Sequence, residues 1–453
     1  MAPARRQAPP VRDPPLRFPG RSRPPRQPCG SSRRPSGTMR RLLLLLAWLA
    51  LLPPERAAAE ARLVFGSSDG VAEFPFELHN NHINVRGRIG DSDSLWIVLD
   101  SGASGASVSA SRAKSLGLAI QGGGTAQGAG GSVESGRVPN ATIRLPGLEL
   151  VGQDLSSIPL DGVALQTGRP MDVIVGHALL DRAVVEIDYA ARKLRVFDPS
   201  RPRPDSPSGH AAPASVTLPL AFHQGLPYVK ATVELPGRAP IEGQFVLDTG
   251  AATAFSLAAE FVQDHHALDA VPRTIRTRMG GVGGMVENRV GRIDRLRLGA
   301  LTIEKPVTVF RLPSPGRISA PGTAGNIGAE ILRRFRVTFD YPRHRVTFEP
   351  NAAFTEPYEA DMSGLVTQVL PDSTRALEVM WTQDGSPAAE AGIAAGDVIE
   401  AVDGHPVAEP HSSGDALRRP WLPRVARRPL CETPRCASRA GLARRVRIQR
   451  AAR

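Results

Sequence analysis

The sequence contains two similar stretches, WIVLDSGASGASVS at 96–109 and QFVLDTGAATAFSL at 244–257. In each, a short apolar run leads into an Asp, a hydroxyl residue and a Gly, which puts Asp100 and Asp248 at equivalent positions. Such a pattern is typical of a strand that ends in a tight turn. One Asp-Ser/Thr-Gly tripeptide alone often marks an ordinary turn, so the interpretation depends on the context that the two copies share.

The similarity extends to both sides of the two stretches. PFELHNNHINVRGRI at 75–89 resembles PLAFHQGLPYVKATV at 219–233. Further along, VIVGHALLDRAVVEIDYAARKLRVFDP at 173–199 resembles NIGAEILRRFRVTFDYPRHRVTFEP at 326–350. Repeated units of this length are whole domains, since solenoid repeats are much shorter.

The repeat and the chain length together predict the domain organisation. A chain of 453 residues has room for about three domains. We predict one domain at 63–200 and a second at 215–352, which we call lobe 1 and lobe 2. A Pro- and Ser-rich segment at 201–214 is the predicted linker between them.

Both lobes are predicted to be mainly β. The apolar runs Leu95–Leu99 and Phe245–Leu247 predict strands that run directly into the Asp turns. Near the end of each lobe, Val184–Ile187 and Arg336–Phe339 alternate in the manner of half-buried strands.

A short helix and a glycine-rich hairpin are predicted after each Asp turn. Ser109–Leu116 predicts the helix of lobe 1, and Ser256 is the candidate cap of its counterpart in lobe 2. The hairpins are predicted at Gly122–Gly136 and Gly280–Gly291.

The duplicated Asp points to a chemistry that needs two carboxyl groups. In carboxylate-catalysed peptide hydrolysis, one group activates water as a general base while the other protonates the substrate. Two carboxylates about 3 Å apart cannot both ionise, so such a pair shares one proton. Asp100 and Asp248, one from each repeat, are therefore the candidate catalytic residues.

The residues beside the two Asp have candidate supporting roles. Gly102 and Gly250 allow the tight turns that let the two loops approach each other. The hydroxyl groups of Ser101 and Thr249 can hydrogen-bond to the opposite loop and so fix the geometry of the pair.

These features resemble the lobes of retropepsin-like aspartyl proteases, in the pepsin and retropepsin superfamily. The family motif is an apolar strand into Asp-Ser/Thr-Gly-Ala, a glycine-rich flap, and two apolar residues and Gly before a short helix. Residues 95–103 with 174–176, and 245–251 with 326–328, match it. The resemblance implies a closed-barrel β lobe for each repeat, an intramolecular pseudo-dimer of the two lobes, and an active site between them.

The resemblance also implies roles for single residues. In that family the motif Asp is catalytic, and this carries over to both members of the Asp pair. The apolar-Gly step after each flap belongs to the same site, which assigns Val175 and Gly176 in lobe 1 and Ile327 and Gly328 in lobe 2. Neither a cofactor nor a metal ion is implied.

The sequence departs from the family pattern in three ways. Asn326 stands where an apolar residue is usual, and neither hairpin contains the flap Tyr of pepsin-like proteins. Ala103 and Ala251 stand where pepsin-like lobes have Ser or Thr, which removes one hydrogen bond to the carboxylates. We therefore expect a pH optimum less acid than that of pepsin.

A third module resembles a PDZ domain of the bacterial type. The resemblance rests on GSPAAEAGIAAGDVIEAVDG at 385–404, which predicts a helix entered at Ser-Pro and then a strand into an Asp-Gly turn. PDZ domains add a peptide as an extra strand and hold its C-terminal carboxylate on backbone N–H groups. Gly364 and Leu365, in DMSGL, are the candidate peptide-binding residues. The alternative is a β-rich module kept for stability alone.

The PDZ-like module is predicted to span 356–419 and to be incomplete. Asp415–Arg419 could begin the second helix of the family, but the run that follows is rich in Arg and Pro and has no periodicity. We do not assign Val446–Ile448 to the final strand. Residues 420–453 are expected to be an Arg-rich tail, either disordered or frame-shifted.

The positive charge of the chain is concentrated at its ends. The formal net charge is +12, but residues 1–58 hold 12 Arg against 2 acidic residues, and residues 409–453 hold 12 Arg against 3. The segment between them has 32 basic and 39 acidic residues, a net of −7. Nucleic-acid binding by the folded body is therefore not expected.

The N-terminal region predicts export. An unbroken apolar run of 11 residues at 42–52 follows two Arg and precedes small residues, which is typical of a secretory signal peptide, here at 39–59 with Met39 as its start. The run is too short for a stable membrane span, which needs about 20 residues. Residues 1–38 are then a spurious or disordered extension. None of the three cysteines lies in 59–408, which favours a bacterial periplasm or exterior over a eukaryotic secretory route.

A second cluster of polar residues contains candidate metal ligands. Asp264, His265, His266 and Asp269 include two types of metal ligand. The simpler interpretation is a solvated helix end, so no metal ligands are assigned.

The leading hypothesis is an exported, monomeric aspartic endopeptidase that acts on polypeptides and uses its PDZ module to bind peptide C-termini. The alternative is a non-catalytic peptide- or protein-binding protein on the same scaffold. The presence of both motif Asp residues favours the enzyme. A further alternative pairs Asp100 with Asp100 of a second chain, and the least favoured is a structural β protein with coincidental motifs.

Overall fold

The structure is a computed structural model that describes residues 61–202, 215–313, 322–361, 363–370, 373–402, 405–406 and 446–449. The predicted extension at 1–38 and signal peptide at 39–59 lie outside the described residues. So do most of the linker at 201–214 and most of the Arg-rich tail at 420–453.

Lobe 1 is built mainly from β-strands, as predicted. Its strands are β1 (Arg62–Phe65), β2 (Val71–Pro75), β3 (Glu77–His79), β4 (His82–Ile89), β5 (Leu95–Leu99), β6 (Ala106–Ser109), β7 (Gln121–Gln127), β8 (Ser132–Leu145), β9 (Leu148–Ile158), β10 (Val173–Val175), β11 (Val184–Asp188) and β12 (Lys193–Phe197). Its helices are α1 (Ala110–Ser115), α2 (Asp161–Thr167) and α3 (His177–Leu180).

Lobe 2 repeats this order of elements. Its strands are β13 (Val216–Pro219), β14 (Ala221–His223), β15 (Leu226–Glu234), β16 (Ile241–Asp248), β17 (Phe255–Leu257), β18 (Ile275–Gly281), β19 (Gly284–Arg292), β20 (Arg295–Leu298), β21 (Leu301–Glu304), β22 (Val307–Arg311), β23 (Gly325–Gly328), β24 (Phe335–Asp340) and β25 (Arg345–Pro350). Its helices are α4 (Ala259–Asp264), α5 (Ala267–Ala270) and α6 (Ala329–Leu332), and 3₁₀ turns lie at Tyr341–Arg343 and Ala352–Thr355.

The C-terminal module is a small sheet with one short helix. Its elements are β26 (Leu365–Leu370), β27 (Ser373–Thr382), α7 (Pro387–Glu390), β28 (Val398–Val402), β29 (His405–Pro406) and β30 (Val446–Gln449).

Three strands from each lobe form one six-stranded sheet, in the order β13-β25-β24-β11-β12-β2. The central pair, β11 and β24, is antiparallel and places Val185 opposite Phe339 and Ile187 opposite Val337. All four side chains are buried and belong to one apolar core that continues through both lobes. The lobes are therefore joined through packed sheet as well as through the chain between them.

The prediction that β11 and β24 are half-buried strands is wrong. The alternation of apolar and polar residues is present, but Glu186 and Asp340 on the polar face are also buried. Glu186 pairs with Arg195, and Asp340 pairs with Arg343 and Arg345. A buried carboxylate is tolerated when it is paired, so the arginine side chains cover a face that the pattern had assigned to solvent.

The strand pairing does not confirm a closed barrel in each lobe. In lobe 1, β8 pairs with both β4 and β9, which links two parts of the sheet. In lobe 2, the described strands follow an open path from β18 to β21. The mainly β, two-lobe architecture is as predicted, and barrel closure stays a prediction.

The lobe 1 helix begins as predicted, but its lobe 2 counterpart does not. Ser109 caps α1, with its hydroxyl oxygen accepting from the Arg112 N–H. Ser256 lies inside β17 and is buried, so the prediction of a cap there is wrong. Lobe 2 has one extra residue in the loop before β17, which brings Ala258 to the capping position, where no side-chain hydrogen bond forms.

The segment between lobe 2 and the PDZ-like module is held by one buried arginine. Arg334 is 1% exposed and donates to the carbonyl oxygens of Ala353, Glu356 and Pro357. Its guanidinium also lies 3.7 Å from the ring centroid of Tyr358. These contacts satisfy a cation that would otherwise be costly to bury.

The PDZ-like module has its own small apolar core, formed by Leu365, Val379, Ala388, Ile393 and Ile399. As predicted, its helix is entered at Ser-Pro, where the Ser386 hydroxyl accepts from the Ala389 N–H.

One part of the expected Arg-rich tail pairs with the PDZ-like sheet. Residues 446–449 form β30, which pairs antiparallel with β28. The sequence pattern was too short to assign this strand, because its pairing partner lies more than forty residues away in the chain and periodicity reads only local order. The predicted second helix at Asp415–Arg419 lies outside the described residues.

Among the residues that the structure describes, no helix is long and apolar enough to cross a membrane.

Candidate active site

The two lobes bring Asp100 and Asp248 together between the ends of β5 and β16. In each lobe a second strand runs parallel to the Asp strand, β10 beside β5 and β23 beside β16. The Asp100 N–H donates to the Val175 carbonyl oxygen at 2.9 Å. Parallel neighbours end at the same sheet edge, so the Asp turn and the apolar-Gly step emerge side by side.

Two pairs of crossed hydrogen bonds tie the Asp turns to each other. The Ser101 hydroxyl donates to the Leu247 carbonyl oxygen at 2.7 Å, and the Thr249 hydroxyl donates to the Leu99 carbonyl oxygen at 2.9 Å. Each hydroxyl oxygen also accepts the backbone N–H of the opposite residue, at 2.9 and 3.0 Å. Both side chains are 1% exposed, so each lobe fixes the position of the carboxylate of the other.

The motif glycines let the carboxylates approach the opposite loop. A Cβ at Gly102 would lie 2.6 Å from an oxygen of Asp248, and a Cβ at Gly250 would overlap the carboxyl group of Asp100. Within each turn, the Gly102 N–H donates to Asp100 Oδ1 at 2.8 Å, and the Gly250 N–H donates to Asp248 Oδ1 at 3.0 Å. Each carboxyl group therefore lies against the glycine of the opposite turn.

Gly176 and Gly328, the glycines of the two apolar-Gly steps, pack closely against the Asp loops. A Cβ at Gly176 would overlap the carbonyl oxygens of Asp100 and Ala103. A Cβ at Gly328 would overlap the carbonyl oxygen of Thr253. Val175 and Ile327, which precede these glycines, are buried in the core and lie opposite the last apolar residue of each Asp strand.

The surroundings of the pair favour a retained proton. Burial, together with the negative charge of Asp248, raises the pKa of Asp100 to about 8. Burial also raises the pKa of Asp248, although hydrogen bonds from Asn326 and from backbone N–H groups oppose that rise. Two carboxyl groups this close hold one proton between them over a wide pH range.

Comparison with known families agrees with the geometry. A model of the family described as "Aspartyl protease" matches residues 85–178 and 229–330. A model described as "PDZ domain" matches residues 378–419. No curated protein matches the chain.

Each lobe contains one segment that matches this retropepsin-like aspartyl protease family. The matched segments contain both Asp turns and both apolar-Gly steps, one set in each lobe. One chain supplies both carboxyl groups here, so pairing Asp100 with Asp100 of a second chain is not needed to form the pair.

The two glycine-rich hairpins of the aspartyl protease segments meet at their tips. Hairpin β7–β8 has its tip at 128–131, and hairpin β18–β19 has its tip at 282–283. The Gly130 N–H donates to the Val282 carbonyl oxygen at 2.8 Å. Val282 also packs against the apolar cluster that Ala103 touches. The flaps predicted at Gly122–Gly136 and Gly280–Gly291 thus overlap these hairpins, and one tip packs on the same apolar cluster as the loop that follows Asp100.

In the candidate carboxylate-binding loop of the PDZ-like module, two backbone N–H groups already donate to side chains of the same loop. The Ser363 N–H donates to Asp361 Oδ1 at 2.8 Å, and the Leu365 N–H donates to the Ser363 hydroxyl oxygen at 3.1 Å. Gly364 has a φ of +76°, and a Cβ there would overlap Ser386. The sequence located the turn, but the structure places a carboxylate in it, and a ligand carboxylate would be repelled by that group.

The other polar cluster lies at a helix end. α4 ends at Asp264, and the ring of His265 packs on Phe261 with a centroid distance of 4.4 Å. His266 Nδ1 lies 3.6 Å from Asp269, and both side chains are exposed. Among the described residues no group of three potential metal ligands comes together.

The sequence identified Asn326 only as a departure from the family pattern, and it did not point to two other residues near Asp248, Arg311 and His82. The amide of Asn326 donates to Asp248 Oδ2 at 2.8 Å. The charge of Arg311 acts on Asp248, and His82 Nε2 lies 3.0 Å from the Gly250 carbonyl oxygen. An alignment of the two repeats could have revealed Arg311 as the counterpart of an apolar residue in lobe 1. That alignment requires knowing where the extra residue of lobe 2 is inserted.

Proposed function

We propose that this protein is an aspartic endopeptidase that hydrolyses peptide bonds with a water molecule activated between Asp100 and Asp248. The observation that carries the proposal is the approach of each carboxyl group to the opposite Asp turn, held in place by the crossed hydrogen bonds of Ser101 and Thr249. A scaffold that only binds peptides gains nothing from two buried carboxyl groups whose pKa values are both raised. The matches to an aspartyl protease family support the same activity.

The reaction uses the single proton that the pair shares. The ionised carboxylate takes a proton from water as the water oxygen bonds to the carbonyl carbon, and the protonated carboxyl gives its proton to the carbonyl oxygen. The resulting diol loses its amine when the amide nitrogen takes a proton from the first carboxyl and the C–N bond breaks. The second carboxylate recovers a proton from a diol hydroxyl, so the pair returns to its starting state.

The substrate is proposed to be a polypeptide that lies between the Asp loops and the two flap tips. Backbone groups of the flap glycines and the apolar side chains near them suit an extended chain. The contact between Gly130 and Val282 would have to open for a substrate to enter. Action as a monomer and export from the cell remain part of this proposal.

The test is cleavage of denatured casein by the full chain from pH 3 to 8, with and without pepstatin. Asp100→Asn and Asp248→Asn are each expected to abolish cleavage, whereas Asp91→Asn, whose side chain is 98% exposed, retains it. Because the pKa of Asp100 is raised to about 8, the singly protonated pair persists toward neutral pH. An optimum at about pH 2, as expected for a pepsin-like pair, would contradict this part of the proposal.

The result also decides the main alternative. Absence of cleavage at every pH by a chain with a cooperative unfolding transition would favour a non-catalytic binding protein. Cleavage that survives either Asp→Asn substitution would exclude a mechanism that requires both carboxyl groups.

The PDZ-like module is proposed to bind peptides by adding a strand beside β26, which lies at the edge of its sheet. Capture of a C-terminal carboxylate by Gly364 and Leu365 has less support, since Asp361 already lies in that loop. Binding of one peptide with a free C-terminus and the same peptide with an amidated C-terminus tests this. Tighter binding of the free form would restore the sequence-based prediction.

A further inference from the structure

We propose that Asp248 carries the negative charge of the pair and Asp100 carries the proton, and that Asn326 is the positioning residue that sets this order. The inference rests on the proposed function, because it assigns the general base and the general acid of the same reaction. It is carried by a difference between the two lobes in the residues that face the carboxyl groups.

Asn326 acts on Asp248 alone. Its Nδ2 donates to Asp248 Oδ2 at 2.8 Å, and the side chain is 3% exposed. An amide N–H stabilises an ionised carboxylate, since it can only donate to it. The equivalent residue in lobe 1 is Ile174, which lies opposite Val98 of the Asp strand as Asn326 lies opposite Val246. Asp100 therefore lacks this donor.

A second difference between the two lobes also favours a negative charge on Asp248. In lobe 1, Ile158 lies at the end of the parallel pairing of β9 with β6. In lobe 2, the corresponding position beyond the pairing of β22 with β17 is Arg311. Ile158 and Ile174 belong to one apolar cluster, so lobe 2 has replaced two neighbouring isoleucines by an arginine and an asparagine. The half-buried guanidinium of Arg311 adds a positive charge that acts on Asp248.

The remaining ionisable groups around the pair do not reverse this order. His82, on β4, lies against the Gly250 carbonyl oxygen, and burial lowers its pKa, which disfavours the charged ring. Burial raises the pKa of Tyr341, which follows β24, so its hydroxyl is neutral. The Gly102 N–H donates to Asp100 as the Gly250 N–H donates to Asp248, so these backbone donors cancel. The excess of stabilising groups lies on the side of Asp248.

The roles in the reaction follow from this order. Asp248 takes the proton of the attacking water, and the proton of Asp100 goes to the carbonyl oxygen of the substrate. Asn326 touches neither the water nor the substrate in this scheme. It holds Asp248 in the ionised form before the substrate arrives.

The test reads protonation directly and does not depend on turnover. The full chain is treated at pH 6 with an epoxide, which an ionised carboxylate opens, and separately with a diazoacetyl ester, which esterifies a protonated carboxyl. Peptide mass spectrometry then gives the labelled fraction at each Asp, with the exposed Asp91 as an internal reference for the epoxide. The expected result is epoxide on Asp248 and ester on Asp100, each in at least tenfold excess over the other member of the pair.

Two substitutions separate the role of Asn326 from a general effect on the fold. Asn326→Leu removes the amide at similar volume, and Ile174→Asn places an amide at the equivalent position beside Asp100. Loss of a hydrogen bond to a charged group should move the pH at which Asp248 becomes epoxide-reactive upward by about one unit. Ile174→Asn should shift epoxide label toward Asp100. A substitution that merely loosens the structure would lower the selectivity of both reagents without this directed shift.

Several outcomes would overturn the inference. These are epoxide label on Asp100 in the natural sequence, equal labelling of the two residues, or unchanged selectivity in Asn326→Leu. A pair that neither reagent labels would also contradict the reactive, unequal pair that the inference requires. Selective labelling in a chain that cleaves no casein would remove the proposed function and leave the charge order intact, and cleavage without selective labelling would do the reverse.

Discussion

Val185 on β11 lies directly opposite Phe339 on β24, and both side chains are fully buried. The first belongs to lobe 1 and the second to lobe 2, so the apolar core crosses the boundary of the sequence repeat. The two Asp turns are far apart in the chain. The distance between the two turns is set by their crossed hydrogen bonds and by this shared sheet. Its central strands, β11 and β24, come near the C-terminal end of each repeat.

The shared sheet predicts that the lobes lose stability together. Phe339→Ala should lower the free energy of unfolding by about 3–5 kcal/mol, because removal of the large buried side chain leaves a cavity in the core. Hydrogen exchange should show faster opening of β5 in lobe 1 as well as β16 in lobe 2. Met380→Ala, at a residue 39% exposed in the PDZ-like module, is the control and should leave both strands unchanged. Faster opening of β16 alone would contradict the shared core.

The crossed hydrogen bonds give a second prediction. Thr249→Val keeps the shape of the side chain but leaves the Leu99 carbonyl oxygen and the Ser101 N–H without their partner. An unsatisfied buried polar group costs about 1–3 kcal/mol, so chemical denaturation should show a loss in that range. Thr249→Ser keeps the hydroxyl and is the matched control. Equal stability of the two variants would mean that the hydroxyl contributes no net stabilisation.

The motif glycine gives a third prediction, which separates the geometry of the pair from the flexibility of the loop. In Gly250→Ala the new methyl group would overlap the carboxyl group of Asp100, so the pair must separate and casein cleavage should be lost. Gly105→Ala lies in the loop after the other Asp turn, where a Cβ meets nothing within 4 Å. That control should retain cleavage and stability. Equal activity of the two alanine variants would show that the carboxyl groups need not be in contact.

The sequence was sufficient to predict the repeat, the Asp pair and the two flaps, because each depends on a local pattern. Apolar residues before Asp100 and Asp248 form the strands that they predict, and the glycines after them make the close approach possible. The exposure of β11 and β24 could not be read in the same way. Their polar face is covered by arginines such as Arg195 and Arg345, which a pattern of one strand does not contain.

The asymmetry of the site was out of reach for a related reason. Asn326 is visible in the sequence as an unusual residue, but its contact with Asp248 depends on the pairing of β23 with β16. Arg311 is far from both in the chain, and its correspondence to Ile158 depends on where the extra residue of lobe 2 is inserted. The sequence thus identified the two paired carboxyl groups but not the residues that make their surroundings unequal.

The protonation of Asp100 predicts how stability changes with pH. Its pKa in the folded chain, about 8, lies above the value of 3.8 for an unperturbed Asp. Between those values the folded chain holds a proton that the unfolded chain has released, so the free energy of unfolding should fall as the pH rises from about 4 to 8. The slope for one proton is at most about 1.4 kcal/mol per pH unit.

Urea denaturation at pH 5 and pH 7 measures this slope. Asp100→Asn removes the titrating group and should flatten the fall, while the exposed Asp91→Asn control should keep it. The cause lies in the closed site, since burial and the nearby charge of Asp248 disfavour a second ionised carboxylate. A free energy of unfolding that rises between pH 5 and 7 would contradict this, because it would require Asp100 to ionise more readily in the folded chain than in the unfolded one.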